Sequence, residues 1–378
     1  MMELDIKRPA WIEIDLSALE NNYDFIRSKI NKETKIAAVV KANAYGHGAV
    51  RVAQKLSELG VEYFCVGSPD EGIELRKAGI KEPILVLAEV LKSQYDDIIQ
   101  GDLIQTAASR ETIKALNKVG AEAEKQIKVH LKLDTGMGRI GFFPEEMIEV
   151  YQLAKGLKNI KIEGVFSHLA RADEEDKEFS YQQLQRFKSA LKELKSAGFK
   201  LPQLHIANSA AVIDLNDTSL DLVRPGIMIY GLLPSADLNE EADLKPLLSF
   251  KTKIVQLRNL PADSAVSYGS TYKTDSREKL AVLPVGYKDG YPRLLSNQGE
   301  VLIRGQRAPI RGRVCMGQTI VSVDHIENVK VGDEVVLIGS QGAEEIKASE
   351  IAELCGTINY EIVCNLDRNI EKIYLETK

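Results

Sequence analysis

The chain has 378 residues, 44% of them hydrophobic and 28% charged, with a formal net charge of −6. That length suggests two domains, or one barrel with an addition, and the composition is that of a soluble globular protein. The mild acidity, without any block of like charge, argues against nucleic-acid or anionic-membrane partners. No apolar run is long enough to span a bilayer, and residues 1–11 carry charges where a secretory signal has an apolar core, so a cytoplasmic location is expected. Cys65, Cys315, Cys355 and Cys364 lack zinc-ligand spacing and read as thiols of a reducing compartment; no metal site is expected.

In chain order, an alternating run at 10–16 reads as a strand that can join a later module. Apolar runs follow at 36–40, 63–67, 84–88, 103–107, 129–133, 162–167, 204–207 and 222–229, separated by polar segments of helical period. One such helix spans about 48–59 and stops at Gly60; another spans about 178–197 and stops at Gly198. Continuous apolar strands indicate a parallel sheet buried on both faces, and about eight β–α units is the number that closes a barrel. After Pro234 the pattern changes. Residues 235–246 are polar and read as a linker. Short strands follow at 249–257, 279–284, 300–303, 308–314, 318–323 and 334–338, then a helix at about 347–354 and one or two closing strands. The expected fold is α/β: a TIM-like (β/α)8 barrel over 12–240, with a C-terminal all-β domain built from 1–11 and 241–378.

The stretch Val39-Val40-Lys41-Ala42-Asn43-Ala44-Tyr45-Gly46-His47-Gly48 is the most informative. A lysine leaving a buried strand is partly desolvated and can act as a nucleophile toward an aldehyde. Tyr45, between small residues, suits a phosphate contact. Lysine with a phosphate-type turn is what a pyridoxal phosphate enzyme needs, although an ordinary strand–turn–helix would look much the same. In such barrels the site lies at the C-terminal ends of the strands. Lys132, Asp134, Met137 and Arg139 follow the fifth barrel strand, and His168 the sixth, with Arg171 and Asp173 just beyond. Asn208 and Ser209 follow the seventh; Arg224, Gly226 and Ile227 end the eighth. Singly, each has an ordinary role: a solvated lysine, a surface ion pair, a core histidine. Their convergence at one rim points to a site. In the β module, Tyr268, Tyr287, Arg293 and Met316 stand in glycine-rich segments that local pattern alone reads as turns.

With the lysine motif at 39–48, Asp134-Thr135-Gly136-Met137-Gly138-Arg139, Val266-Ser267-Tyr268-Gly269 and Arg313-Val314-Cys315-Met316, the chain resembles the alanine racemases, pyridoxal phosphate enzymes of fold type III. The likeness runs in order from Trp11 to Tyr360. It implies a homodimer with shared active sites, in which Lys41 forms the aldimine and is one base. Tyr268 of the partner subunit is the other base. It assigns the phosphate to Tyr45, Ser209, Tyr360 and the amides of Gly226 and Ile227, beside Asn208. It places Arg224 at the pyridine nitrogen and His168 between Arg224 and the tyrosine. Arg139 reaches the cofactor's phenolic oxygen and, with the Met316 amide, helps take the substrate carboxylate. Lys132 matches a position often carbamylated, and Asp173, Tyr287 and Arg293 match residues lining the passage by which substrate enters. The implied reaction interconverts L- and D-alanine, supplying D-alanine for peptidoglycan.

Two bases suit racemisation, because a proton must leave one face of the α-carbon and return to the other. Gly317 departs from the family, which commonly has aspartate there; altered substrate affinity or a roomier pocket is expected. The segment 368–374 departs too, with little expected consequence. The alternatives are a serine, lysine or broad-specificity racemase, a barrel-only pyridoxal phosphate carrier, and a fold-type III decarboxylase. The β module argues against the carrier. Arg224, in place of an acidic pyridine partner, argues against the decarboxylase.

Overall fold

The computed structural model describes residues 9–376; the expected place of residues 1–8 in the β domain lies outside them. Contacts divide the chain into two compact units. One comprises 18–44 and 49–245. The other comprises the described residues from 246 to 376 together with 45–48 and the segment that ends at Ser17.

The first strand, β1 (Ala10–Asp15), belongs to the second unit. The next eight close a barrel: β2 (Lys35–Val39), β3 (Tyr63–Val66), β4 (Ile84–Val86), β5 (Ile104–Ala107), β6 (Ile127–Lys132), β7 (Ile160–Phe166), β8 (Gln203–His205) and β9 (Leu222–Val223). Neighbours pair in parallel, and β9 returns to β2. Every residue of β4 and β5 is buried, as a parallel sheet covered on both faces requires. The helices turn an apolar stripe inward. On Glu178–Ser196 the buried Leu184, Phe187, Leu191 and Leu194 recur every three or four residues. The expected (β/α)8 barrel is therefore present, and its C-terminal rim carries the loops considered below. Among the described residues no helix is long and apolar enough to cross a membrane.

The second unit is rich in strands: β10 (Leu248–Lys253), β11 (Gln256–Leu260), β12 (Ala265–Val266), β13 (Tyr272–Lys273), β14 (Glu278–Leu283), β15 (Glu300–Ile303), β16 (Gln306–Pro309), β17 (Thr319–Ser322), β18 (Glu334–Gln341), β19 (Glu344–Ile346) and β20 (Glu371–Leu375). A large sheet runs β16-β15-β18-β10-β1-β20, with β19 paired to β18; β11-β14-β17 and the hairpin β12-β13 are separate. β1 pairs antiparallel to β10 and parallel to β20, so the alternating N-terminal run does join this module.

Two expected strands are shorter than their apolar pattern. The 249–257 run is broken because the chain changes sheets: the Ile254 amide donates to Asp333, and the Val255 amide to Val282 on β14. The 308–314 run ends at Pro309, and Gly312 turns the chain with φ 75°. The expected helix is Ala348–Cys355. A second, Asn359–Cys364, was not legible, since six residues give too little periodicity.

Candidate active site

Lys41 stands two residues past the end of β2, after the buried Val40, and is half-buried. The next residues, Ala42, Asn43, Ala44 and Tyr45, have φ of 52°, 55°, 52° and 51°, a left-handed turn without glycine. For residues with a Cβ this costs roughly 1–2 kcal/mol each and persists only where the surroundings over-determine it. The Ala42 amide donates to Glu71 Oε1 at 2.7 Å, the Ala44 amide to the Val40 carbonyl at 2.8 Å, and the Ala49 amide to Asn43 Oδ1 at 3.0 Å. The left-handed geometry was hidden in the sequence, because the glycines stand at 46 and 48 instead of 42–45.

Arg224, just past β9, is 4% exposed. Its NH1 donates to His205 Nδ1 at 2.7 Å. Its NH2 donates to the Ser167 carbonyl at 2.8 Å, to His168 Nδ1 at 3.1 Å and to the Ile206 carbonyl at 3.2 Å. These four contacts leave Nε outside them. A guanidinium only donates, so both imidazoles accept through Nδ1. His205 then carries its proton on Nε2 and donates to His130 Nδ1 at 2.8 Å. Burial, reinforced by the Arg224 charge, holds His168 and His205 well below the ordinary histidine range and His130 at about 3. Burial lowers Arg224 to about 10, which leaves it charged at neutral pH. Phe166 stacks on His205 at 4.7 Å, with the Arg224 cation 5.2 Å and the Lys132 ammonium 5.3 Å from its ring centre.

Lys132 ends β6 at 3% exposure and donates to the Leu133 carbonyl at 3.1 Å. Burial, then the Arg224 charge, lowers its pKa to about 7, so it is no solvated strand lysine. The Asp134 carboxylate accepts the amides of Gly136, Met137 and Gly138 at 2.8–2.9 Å and so shapes the loop that brings Arg139 to the surface. Arg139 is exposed and makes no hydrogen bond or ion pair with the described residues. Gln183, buried on the long helix, ties this loop to the next: Nε2 donates to Thr135 Oγ1 at 3.3 Å and the His168 carbonyl at 3.1 Å, and Oε1 accepts from Ala170 at 2.8 Å. Asp173 lies half-buried further along that second loop. Asn208 caps the helix Ser209–Asp214 by accepting the Ala211 amide at 3.0 Å; Ser209 Oγ accepts the Gly226 amide at 2.8 Å, and Ile227 opens a short helical turn. The barrel thus gathers Lys41, Lys132, Arg139, His168, Asn208, Ser209, Arg224, Gly226 and Ile227 at one rim.

Glu71, His130, His205 and Gln183 escaped the sequence reading. A histidine inside an apolar strand, as at 130 and 205, is a usable signal. Glu71 looks like any acidic residue in a first helical turn.

In the β unit, Tyr268 is 73% exposed on the β12–β13 connection. Ser267, with φ 63°, donates from its hydroxyl to the Arg313 carbonyl at 2.6 Å. That pins the connection to the segment carrying Met316, which is 59% exposed. The Tyr287 and Lys288 amides donate to the Cys315 and Met316 carbonyls at 3.0 and 2.9 Å. Tyr268, Tyr287 and Met316 therefore belong to one hydrogen-bonded cluster of loops. Arg293 is exposed at the start of a short turn, and Tyr45 and Tyr360 have ring centres 6.0 Å apart. The space beside Gly317 is partly filled, since a Cβ there would lie 2.9 Å from Lys288 Cε.

The family model for the alanine racemase N-terminal domain matches residues 14–234, and that for the alanine racemase C-terminal domain matches 247–374. The chain belongs to the alanine racemase family. An alanine racemase of Halothermothrix orenii is 51% identical over 373 residues, covering 99% of this chain and 98% of that protein. The alanine racemase structure of Clostridium difficile 630 superposes with a TM-score of 0.94 at 39% identity, covering 98% of this chain and 97% of that one. The same enzyme in complex with cycloserine superposes at 0.92 and 38% identity, again covering 98% and 97%. The protein is thus an amino-acid racemase, an isomerase. With both alanine racemase domain models matched, the carrier and decarboxylase alternatives are set aside.

Proposed function

We propose that this racemase interconverts L- and D-alanine with pyridoxal phosphate as cofactor. It works as a cytoplasmic homodimer in which Lys41 and Tyr268 of the partner subunit face one α-carbon, and it supplies D-alanine for peptidoglycan. The observation that carries the reading is the barrel rim itself: a lysine on a held, strained turn, with a buried arginine whose terminal nitrogens are locked by two histidines and two carbonyls. The names of the relatives and the cycloserine complex of the Clostridium difficile enzyme support it.

The residues present fit the cofactor. Lys41 offers the amine. Ser209, the Gly226 and Ile227 amides, Tyr45, Tyr360 and the Asn208-capped helix start offer phosphate contacts. Arg224 offers a donor for a ring nitrogen. When bound, pyridoxal phosphate supplies the electron sink for charge that develops at the α-carbon. The protein's part is to place proton carriers and fix charge. Lys41 serves one face, and the partner subunit's Tyr268 serves the other. Arg224 keeps its proton at neutral pH, so it holds a hydrogen bond without acting as an acid. His168 and His205, held neutral, keep its fork oriented. Arg139 has a planar fork available for the substrate carboxylate, joined by the Met316 amide. Lys132 is neutral in a large share of molecules near pH 7, and the neutral amine is the form that adds carbon dioxide. Its carbamate would set a negative charge within the electrostatic reach of Arg224 and Arg139. Asp173, Tyr287 and Arg293 line the passage by which substrate enters.

A coupled D-alanine assay on the purified protein, with and without added pyridoxal phosphate, tests the reading, alongside rates over a panel of L-amino acids. Turnover of L-alanine that needs the cofactor and exceeds turnover of serine and lysine is expected. No D-alanine in the presence of cofactor would overturn it, and a faster rate on serine would turn it to the broader-specificity reading.

A further inference from the structure

We propose that Glu71 is a positioning residue for Lys41, clamping the left-handed turn at 42–45 so that the lysine is presented correctly; this rests on the reading of Lys41 as the cofactor lysine. Glu71 lies in the first turn of the helix Pro69–Lys77. Its Oε1 accepts the amide of Ala42, the residue immediately after Lys41, at 2.7 Å. Its Oε2 accepts the amide of Gly67, just past β3, also at 2.7 Å. One carboxylate therefore ties together the C-terminal ends of two neighbouring barrel strands, β2 and β3. Bonds to an ionised acceptor are roughly twice as strong as neutral ones.

Gly67 makes the close approach possible. A Cβ there would stand 3.3 Å from Glu71 Oε2, a tight contact with the clamp, and 3.5 Å from Lys41 Cβ, an ordinary one. The turn needs holding because four consecutive left-handed residues with side chains are strained. Asn43 secures the far end of the turn through the Ala49 amide; Glu71 secures the end beside the lysine. Its Oε2 braces the start of its own helix, whose N-cap Ser68 has no side-chain cap, and its Oε1 is left to reach across to Ala42.

A clamp on a strained turn has an unusual signature. Removing it should release strain that offsets part of the lost bonding while spoiling the site, so function falls much further than stability. The test compares Glu71→Ala and Glu71→Gln with Lys41→Ala and with Asp70→Asn, a control for charge at the helix start. Cofactor affinity is read by absorbance titration, kcat and KM on L-alanine, and melting temperature on both the apo and loaded protein. Glu71→Ala should weaken cofactor binding and lower kcat by about tenfold or more, with KM within about threefold and the apo melting temperature only slightly lowered, because released strain offsets part of the lost bonding. Glu71→Gln should fall close to it, because its amide group turns a donor toward one of the two N–H groups. Asp70→Asn should match the parent.

A lower melting temperature with cofactor affinity and kcat intact would overturn the proposal and leave Glu71 a simple brace. So would failure of both Glu71 variants to fold, since relaxing a strained turn should not unfold a barrel. If Lys41→Ala keeps both cofactor affinity and turnover, the reading of Lys41 falls first. If Lys41→Ala loses both while Glu71→Ala behaves as the parent, the clamp alone falls.

Discussion

The barrel rim and the loops of the β unit hold their polar groups in opposite ways. At the rim, Arg224 and Lys132 are 4% and 3% exposed, and their neighbours are bonded to one another. In the β unit, Tyr268 and Met316 are 73% and 59% exposed, and Tyr287 is 43% exposed. Buried charges of this kind need partners, and most of those at the rim come from the barrel's own chain. Exposed aromatic and thioether side chains on firmly pinned loops are what a surface shows when its complement is elsewhere. The difference teaches that one chain carries a finished half and an open half. Under the proposed two-base mechanism, that complement would be a second copy of the chain.

The sharpest way to break that comparison is to remove the open half's phenol. Tyr268→Phe should lower racemisation by roughly 10²–10⁴, the range of a lost general acid or base. Cofactor affinity, set by the barrel rim, should stay within about twofold by absorbance titration. Solvent deuterium should still enter the α-position of one alanine enantiomer, because Lys41 remains on its own face. Exchange into both enantiomers at the parent rate would show that Tyr268 is not the second base.

Arg224→Lys tests the finished half. A lysine ammonium cannot reproduce the fork that now meets two imidazoles and two carbonyls. We expect kcat to fall by roughly ten- to a hundredfold and the melting temperature to drop as well, since buried acceptors lose their donor. A variant with normal kcat would mean that the rim is less dependent on this fork than its geometry indicates.

A smaller effect lies in the pH dependence of stability. Burial and the Arg224 charge lower Lys132 from 10.5 to about 7. Between those values the unfolded chain holds a proton at this position that the folded chain does not, so this residue makes stability rise with pH from about 7 to 10.5. Below pH 7 its penalty is complete. Lys132→Met should flatten that slope in urea-unfolding measurements taken at intervals across the window. Added bicarbonate should flatten it in the parent protein too, since a carbamate does not titrate as an amine. An unchanged slope in Lys132→Met would remove Lys132 from the account.

How much of this was legible in the sequence differs between the same two regions. The barrel strands announced themselves, because a strand buried on both faces must be apolar throughout, as β4 and β5 are. Lys41, Lys132, His168 and Arg224 followed from the rule that barrel chemistry sits at strand ends. The partners that hold them did not. Glu71 stands thirty positions from Lys41, and His130 and His205 meet only because β6 and β8 flank β7. Their spacing along the chain carries no trace of the contact. In the β unit short strands and turns repeat with little periodicity, so β12, β13 and β19 went unseen and two longer runs were overextended.

The smallest effect should come from the open half, where exposed loops forgive change. Gly317 stands where the family resemblance leads one to expect aspartate, and a Cβ at 317 would lie 2.9 Å from Lys288 Cε and 3.3 Å from its Nζ. The obstacle is the flexible end of a side chain, so Gly317→Asp can be accommodated by a small movement of that end. The new carboxylate would then meet an ammonium at an exposed site, a pair worth about 0–1 kcal/mol. We expect KM for alanine to change by no more than about threefold, with an unaltered melting temperature. In a Lys288→Ala background the same aspartate has no counter-charge near the Met316 amide proposed to take the substrate carboxylate, so KM should rise further by like-charge repulsion. If Gly317→Asp alone raises KM more than tenfold while Lys288 is present, this segment is as exacting as the barrel rim, and the contrast between a finished and an open half fails at this position.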